Sequence, residues 1–505
     1  MSVTLAEVAA SLPAPASFVG PVTGTDASEV VIVDATHDSR QVASGWLFCA
    51  VPGARTDGHD HLAEAAAAGA AAALVERGVD VALPQLQVPS VRAAMGPAAA
   101  VVHGHPSRQL TIVGTTGTNG KTTVSGLLEG AFAAAGIGTG VIGTLGARIH
   151  GESVPGVRTT PEGPDLQRLL RRMHRHGVDA VAAEVSSHGL ELHRIDGTRI
   201  AVAVYTNLSQ DHLDFHGTME RYLAAKARLF TPALSEQGVV FLDGPWGWQL
   251  LEQVAIPVTT LGWADADGPP PDVLITAPEV DLTGGRARLV GEAVGEVEVR
   301  TRLPGRFNLA NAATALLAAV LAGVDARSAA EGIAAAPGPR GRLERVEVGA
   351  GPQVLVDYAH TPEAVTTVVA TVRESLPAGG RLLLVLGCGG DRDHSKRGPM
   401  GAAATAADVA VLTSDNPRSE DPQAILAAMI DGASAALEAG ATASVVVEPD
   451  RRRAIGLALA KARADDVVLI AGKGHESVQE LADRVVPFDD REVAATFLTG
   501  AEERP

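Results

Sequence analysis

Cysteine is almost absent. The 505 residues hold two, Cys49 and Cys388, too few for a disulfide framework, which points to a reducing compartment. Aromatic residues make up only 3%, so the cores must rest on Ala, Val and Leu. Positive charge is in deficit: 41 Lys and Arg against 59 Asp and Glu leave a formal net charge of −18. Such a chain does not bind nucleic acid or an anionic membrane through general electrostatics. An anionic substrate needs a local basic pocket that works against the overall field. No apolar run reaches membrane-spanning length; the Ala-rich stretch Ala65–Leu74 is too short. The start, MSVTLAEVAASLP, has neither the basic opening nor the long apolar core of a secretory leader. These absences predict a cytoplasmic protein without nucleic-acid or membrane partners.

What is present is the composition of a folded protein, 46% hydrophobic and 20% charged. At roughly 150 residues per domain the length suggests about three domains. Pro and Gly punctuation divides the chain into 1–108, 109–338 and 339–505. The first block holds short apolar runs at Val30–Val33 and Ala72–Val75 and ends in the turn-rich segment His103–Arg108. The second opens with a strand at Leu110–Val113 and closes near Pro337–Gly341. The third has strands at Val354–Val356, Leu382–Leu386, Val409–Leu412 and Val467–Ile470, with helical stretches such as Pro362–Leu376 between them. Strand–helix alternation predicts an α/β fold with parallel sheets in every block. The segment Asp265–Pro271 reads as a surface loop.

The strongest single motif is Gly114-Thr115-Thr116-Gly117-Thr118-Asn119-Gly120-Lys121-Thr122-Thr123. It follows an apolar strand and opens a helix with apolar positions at Val124, Leu127, Leu128 and Phe132. That order cradles phosphates, because backbone N–H groups and the helix dipole point at the anion. Lys121 is placed to neutralise the β/γ-phosphates, and the Thr122 hydroxyl to reach Mg²⁺. The strict G-x-x-x-x-G-K-[ST] spacing is not met, since Thr115 stands five residues before Gly120.

Three further elements follow. Glu184 lies near the end of the apolar run Val178–Val185, where α/β active sites gather. His212 lies in Tyr205–His216, after another apolar strand, and can ligate a metal through a neutral ring nitrogen. Lys226 is the oddity. In a helix spanning Met219–Phe230 it falls on the apolar face of Met219, Tyr222 and Leu223. It is either a snorkelling lysine or a buried, partly deprotonated amine that reacts with CO₂ to give an anionic carbamate. Periodicity leaves the two readings even.

Taken in order, these motifs resemble the Mur ligase family. The resemblance rests on Gly114–Thr123, Glu184–Leu190, Thr206–Asp214 and Ala225–Phe230. It continues through Gly305–Ala312, Asp357–Pro362, Gly387–Asp393, Asp415–Arg418 and Gly472–Glu476, nearly the whole chain. It implies an N-terminal α/β domain binding the UDP end of the acceptor, a central P-loop-type ATPase domain, and a C-terminal Rossmann-like domain receiving an amino acid. The implied catalytic residues are Lys121, Glu184, His212 and Lys226. Lys226 would be carbamylated (N6-carboxylysine) and hold one Mg²⁺ with help from His212, while Thr122 and Glu184 serve a second. Asn311, Asp357 and His360 join Gly114–Thr123 at ATP. Ser39, Ala54, Arg55, Thr56, Thr159, Thr160, Ser186 and Arg194 match the UDP-substrate pattern, whereas His37 and Leu192 depart from it. Arg392, Asp415, Asn416, Pro417, Arg418, Gly472 and Glu476 match the amino-acid pocket.

The implied reaction adds meso-diaminopimelate to the D-glutamate of UDP-N-acetylmuramoyl-L-alanyl-D-glutamate in peptidoglycan precursor synthesis, by a monomer in the cytoplasm. The D-glutamate carboxylate attacks the γ-phosphate of ATP, and the incoming amine captures the acyl phosphate. Water exclusion favours closure of the third domain over the second. Meso-diaminopimelate differs from lysine by one carboxylate, and a bidentate arginine, Arg418, is its natural reader. Lysine would leave that arginine buried and unpaired, a discrimination of roughly 10⁴-fold. Glu476 is placed to accept from the distal ammonium. The alternatives are a lysine-adding or folylpolyglutamate-type ligase and, from another class, an ATP-hydrolysing switch.

Overall fold

The computed structural model describes residues 3–20, 25–53, 56–154, 158–346 and 351–500. It forms two compact units. The first runs to Ala277 and adds Arg288–Val299 and Asn311–Ala335; the second takes Pro278–Ala287, Arg300–Ala310 and the chain from Ala336 onward. None of the described helices is long and apolar enough to cross a membrane.

The first unit holds two sheets. The smaller reads, in spatial order, Ser17–Val19, Gln85–Gln87, Ala72–Val75, Trp46–Cys49 and Asp34–Thr36. The helix Val91–Val102 covers it. Ser90 caps that helix, its hydroxyl accepting from the Ala93 N–H. Val91, Ala94, Met95, Ala98, Ala99 and Val102 are buried, the spacing of one helical face. The opposite side of the helix meets the central region: a Cβ on Gly96 would stand 2.3 Å from the Asp196 carbonyl oxygen, so only glycine fits. Arg168 adds a bidentate ion pair to Asp34 at 2.9 and 3.0 Å, with its guanidinium carbon 4.9 Å from the Trp46 ring centroid. Burial alone would raise the Asp34 carboxyl; hydrogen bonds from His103 and Arg168 outweigh it and hold the pKa at about 2.

Eight strands of the larger, eleven-stranded sheet read, in spatial order, Glu152–Val154, Gly146–Ile149, Thr139–Gly143, Ala180–Glu184, Thr111–Thr116, Ile200–Tyr205, Ser235–Phe241 and Val258–Trp263. Pairing is parallel from Thr139–Gly143 onward. The strand before the phosphate loop therefore lies between two parallel neighbours. Thr115 pairs with Glu184 on one side and Val204 on the other. This ladder carries the strand to Thr116, further than the expected Val113, so Gly114–Thr116 belong to it and the loop proper is Gly117–Gly120. Val124, Leu127, Leu128 and Phe132 are buried on the following helix, as their spacing predicts. The helix from Met219 ends at Ala227, one tighter turn completing the run to Phe230. Asp265–Pro271 is a loop.

The second unit is built on the order Glu344–Arg345, Gln353–Asp357, Val467–Ala471, Leu382–Cys388, Val409–Ser414 and Ser444–Val447. All pairs but the first are parallel. Successive side chains of Leu382–Leu386 alternate between two cores. Leu382, Leu384 and Leu386 join Val365, Met400 and Met429, whereas Leu383 and Val385 join Ile455, Leu459 and Phe497. A parallel sheet covered on both faces reads as an unbroken apolar run for this reason. Arg451 and Asp490, both with fully buried side chains, pair at 2.7 Å against the second core.

Candidate active site

The parallel register brings four chain segments to one edge of the larger sheet. Thr144, Glu184, the Gly117–Gly120 loop and Thr206 each follow or end a strand there. The loop is held by the Thr206–Ser209 segment. The Thr206 hydroxyl donates to the Asn119 carbonyl at 2.6 Å, the Thr118 N–H to the Asn207 carbonyl at 2.9 Å, and the Asn119 N–H to Asn207 Oδ1 at 2.9 Å. Gly117 has φ +151°, and a Cβ there would stand 1.9 Å from Thr206 Oγ1. Asn311 packs against the loop's other end, its Oδ1 2.5 Å from where a Gly120 Cβ would be. Lys121 Nζ folds back to donate to the Gly117 and Thr118 carbonyls at 2.8 Å each. The helix then starts without a side-chain cap, and its first-turn N–H groups have no acceptor within the helix. This loop and helix start have the geometry of a phosphate cradle.

Glu184 is 2% exposed. Its two oxygens accept from the Thr144 N–H at 3.0 Å and the Thr144 hydroxyl at 2.9 Å. The Thr144 hydroxyl also lies 3.1 Å from Thr159 Oγ1. Thr160 donates to the Glu184 carbonyl and accepts from the Ser186 N–H, both at 3.0 Å. Ser186 in turn caps the short helix Ser187–Glu191. Arg194 Nη1 donates to the Thr160 carbonyl at 3.3 Å, and Arg194 Nε pairs with Glu162 at 3.0 Å. Glu162 also takes Arg92 and Arg158. The expected catalytic glutamate and four expected acceptor-binding residues (Thr159, Thr160, Ser186 and Arg194) thus form one hydrogen-bonded net. Thr144 and Glu162 are parts of it that the sequence reading missed. Thr144 shares the strand-end position that singled out Glu184; Glu162 carries no signal without the fold.

Lys226 is 1% exposed and makes no hydrogen bond or ion pair among the described residues. Its Nζ stands 4.2 Å from the Tyr222 ring centroid. Burial, then the nearby Lys121 charge, pushes its pKa well below the usual lysine value. This burial favours the buried-amine reading over the snorkelling one. Around it lies an aromatic cluster: His216 stacks on Tyr222 at 4.9 Å, His212 meets His188 edge-on at 4.8 Å, and the Tyr222 hydroxyl lies 3.2 Å from Thr118 Oγ1. Burial and the neighbouring His212 and His216 push His188 down to about 4, so its ring is neutral near pH 7. His212 itself has a left-handed backbone, φ 53°.

Among the described residues no three His, Cys, Asp or Glu side chains form a metal cluster. A nucleotide-bound Mg²⁺ does not require one, since phosphate and water supply most of its oxygens. The donor set fits that ion: the buried Thr122 hydroxyl and the Glu184 carboxylate are hard oxygens beside the phosphate cradle.

Ser39 and Thr56 lie in the smaller sheet's loops and, among the described residues, no hydrogen bond joins them to this net. Ala54 and Arg55 fall outside the described residues.

In the second unit the Asp415–Arg418, Gly387–Arg392 and Gly472–Glu476 segments follow three adjacent parallel strands, as the sequence reading expects. Lys473, with no exposed surface, ties the first of these to the third: Nζ donates to Asn416 Oδ1 at 3.0 Å, Glu476 Oε2 at 3.1 Å and the Val478 carbonyl at 2.7 Å. Asn416 Nδ2 donates to Glu476 Oε2 at 2.7 Å. A Cβ on Gly472 would stand 2.6 Å from Asp415 Oδ2. Burial raises the pKa values of Asp415 and Asp357. Asp357 accepts from the Leu343 and Ala359 N–H groups at 2.7 and 2.8 Å. His360 and Arg392 are exposed.

Arg418 corrects one expectation. It is not an unpaired buried cation: its side chain is 21% exposed, and Nε donates to Glu480 Oε2 at 2.6 Å. Glu480, on the hairpin of Val478–Glu480 and Val485–Pro487, gives that charge a partner of its own whichever amino acid is bound.

Three family models cover the chain: "Mur ligase family, catalytic domain" over residues 32–113, "Mur ligase middle domain" over 115–319 and "Mur ligase, glutamate ligase domain" over 341–474. The chain belongs to the Mur ligase family. It is 47% identical over 476 residues to the UDP-N-acetylmuramoyl-L-alanyl-D-glutamate–2,6-diaminopimelate ligase of Streptomyces avermitilis, covering 92% of each chain. It is 48% identical over 471 residues to the enzyme of the same name from Streptomyces coelicolor, covering 92% of this chain and 91% of that one. A solved structure titled as the same ligase superposes with a TM-score of 0.71 at 32% identity, covering 99% of both chains. The middle-domain match contains the phosphate cradle, Glu184, His212 and Lys226, and the glutamate-ligase match contains the Lys473 hub and Arg418.

Proposed function

We propose that this Mur ligase joins meso-diaminopimelate to the D-glutamate of UDP-N-acetylmuramoyl-L-alanyl-D-glutamate at the expense of ATP, in cytoplasmic peptidoglycan precursor synthesis. The observation that carries the reading is the net in which Glu184 touches, through Thr144 and Thr160, both the phosphate-cradle edge and the residues expected to hold the acceptor. The likeness to diaminopimelate ligases over nine-tenths of the chain supports the choice of amino acid.

The chemistry then follows from placement. The cradle and Lys121 hold the triphosphate, and the net holds the acceptor's carboxylate for in-line attack on the γ-phosphorus; fixing two reactants in this way supplies much of the rate. ADP leaves, and the acyl phosphate remains. The amine of diaminopimelate attacks the acyl carbon, loses a proton and expels phosphate. Mg²⁺, when bound, neutralises phosphate charge; Thr122 and Glu184 would hold one ion, and His212 with a carbamylated Lys226 a second. Lys226 suits that modification because a buried, unpaired amine is neutral enough to add CO₂, and the product anion would have cations to face. Thr159, Thr160, Ser186 and Arg194 would bind the acceptor with Ser39, Arg55 and Thr56. Asn311, Asp357 and His360 would serve ATP. Arg392, Asp415–Arg418, Gly472 and Glu476 would bind the amino acid, and the enzyme would act as a monomer.

Phosphate release decides between a ligase and a nucleotide switch. The ligase releases phosphate only when the UDP-linked dipeptide and an amino acid are both present. ATP hydrolysis at full rate without either contradicts the proposal.

A further inference from the structure

Resting on the reading of Arg418 as the carboxylate reader, we propose that Glu480 is a positioning residue that aims Arg418 and so sets selectivity for an amino acid with a second carboxylate. Arg418 is fixed at three points within the second unit. Its N–H donates to the Glu480 carbonyl at 3.0 Å, its Nε to Glu480 Oε2 at 2.6 Å, and its Nη1 to the Gly390 carbonyl at 2.8 Å. Among the described residues Nη2 has no partner. Its backbone stands at φ +51°, a left-handed conformation that a residue with a Cβ keeps only when its surroundings impose it. Glu480 supplies two of the three contacts.

Glu480 is itself anchored. Its N–H donates to Asn416 Oδ1 at 3.0 Å, the same oxygen that the buried Lys473 holds at 3.0 Å. Gln479 Nε2 donates to the Asp415 carbonyl at 2.7 Å. The segment after Glu476 is therefore docked on the Asp415–Arg418 tetrapeptide. Nε and one Nη1 hydrogen are spent on the protein, which leaves the other Nη1 hydrogen and Nη2 as the fork for a ligand's planar carboxylate. A free arginine side chain would have to be ordered on binding; this one is ordered beforehand.

The test is steady-state kinetics of the full chain with ATP, Mg²⁺ and the UDP-linked dipeptide. Glu480→Ala is expected to raise the KM for diaminopimelate about tenfold, the weight of one charge-assisted hydrogen bond, and to lower the diaminopimelate-over-lysine preference by a similar factor. The kcat and the KM for ATP are expected to stay within about twofold, since neither depends on ground-state binding of the amino acid. Glu480→Gln retains an oxygen that accepts from Nε and is expected to keep KM within about threefold of the parent. An unchanged KM for diaminopimelate in Glu480→Ala overturns the proposal, as does an equal rise in the KM for ATP. A glutamine variant as impaired as the alanine variant overturns it too, by assigning the effect to charge rather than aim. If the unaltered chain forms no amide with diaminopimelate, the functional reading falls and the proposal with it; a selective parent with an indifferent Glu480→Ala sinks the proposal alone.

Discussion

Replacing Lys226 by methionine should stabilise the protein and abolish ligation. The side chain is 1% exposed and its nitrogen has no hydrogen-bond partner among the described residues. Burying an unpartnered polar group costs about 1–3 kcal/mol in proteins, and methionine fills nearly the same volume without that cost. At about 2–4 °C per kcal/mol for a domain of this class, Lys226→Met should melt about 2–12 °C higher than the parent in CO₂-free buffer without nucleotide. The pH dependence has a definite sign. The folded pKa of Lys226 lies below its unfolded value, near 10.4 for an exposed lysine. The unfolded chain therefore binds the proton more readily, and the penalty is present at neutral pH and fades as pH rises toward the unfolded pKa. The melting gap should narrow between pH 7.5 and 9.5, a window of about two units below that pKa. Calorimetry reads both quantities. A methionine variant that is less stable than the parent, or a gap that does not shrink with pH, refutes the claim of an unpaired buried amine. Retained turnover refutes its place in the chemistry.

Gly143→Ala should leave the fold intact and cut kcat about 10²-fold, because a Cβ there would stand 2.2 Å from Glu184 Oε1 and displace the carboxylate; circular dichroism and initial rates check the two halves. Asp490→Asn should destabilise the second unit by about 3–5 kcal/mol in urea unfolding, since it strands Arg451 fully buried. Asp34, held at about 2 by His103 and Arg168 against burial, stabilises the first unit above its unfolded pKa near 3.9. About 1–2 kcal/mol, discounted for its partial exposure, should vanish as pH falls from about 4 to about 2, and Asp34→Asn should lack that segment of the acid-unfolding curve. Arg418→Ala should raise the KM for diaminopimelate by about 10- to 100-fold and that for ATP hardly at all.

The framework was legible because parallel strands covered on both faces are continuous apolar runs. Leu382–Leu386 and Val467–Ile470 need no context to be read as strands, and their ends locate the Gly387, Asp415 and Gly472 segments. The phosphate loop was legible for the same reason, although its first three residues proved to be strand once their two neighbours were known. Lys226 shows where periodicity stops: spacing places it on the apolar face, and only the packed structure distinguishes a buried amine from one that reaches solvent. Thr144, Glu162, Lys473 and Glu480 act through partners distant in the chain. Glu480 lies 62 positions beyond Arg418, and no local pattern announces such a pairing.

The account turns on which amine ends up in the product. Purified protein with ATP, Mg²⁺ and UDP-N-acetylmuramoyl-L-alanyl-D-glutamate, offered an equimolar mixture of meso-diaminopimelate and lysine, should give by mass spectrometry a UDP-linked tripeptide carrying diaminopimelate almost alone. A product dominated by lysine, or no tripeptide while ATP is consumed, would contradict it.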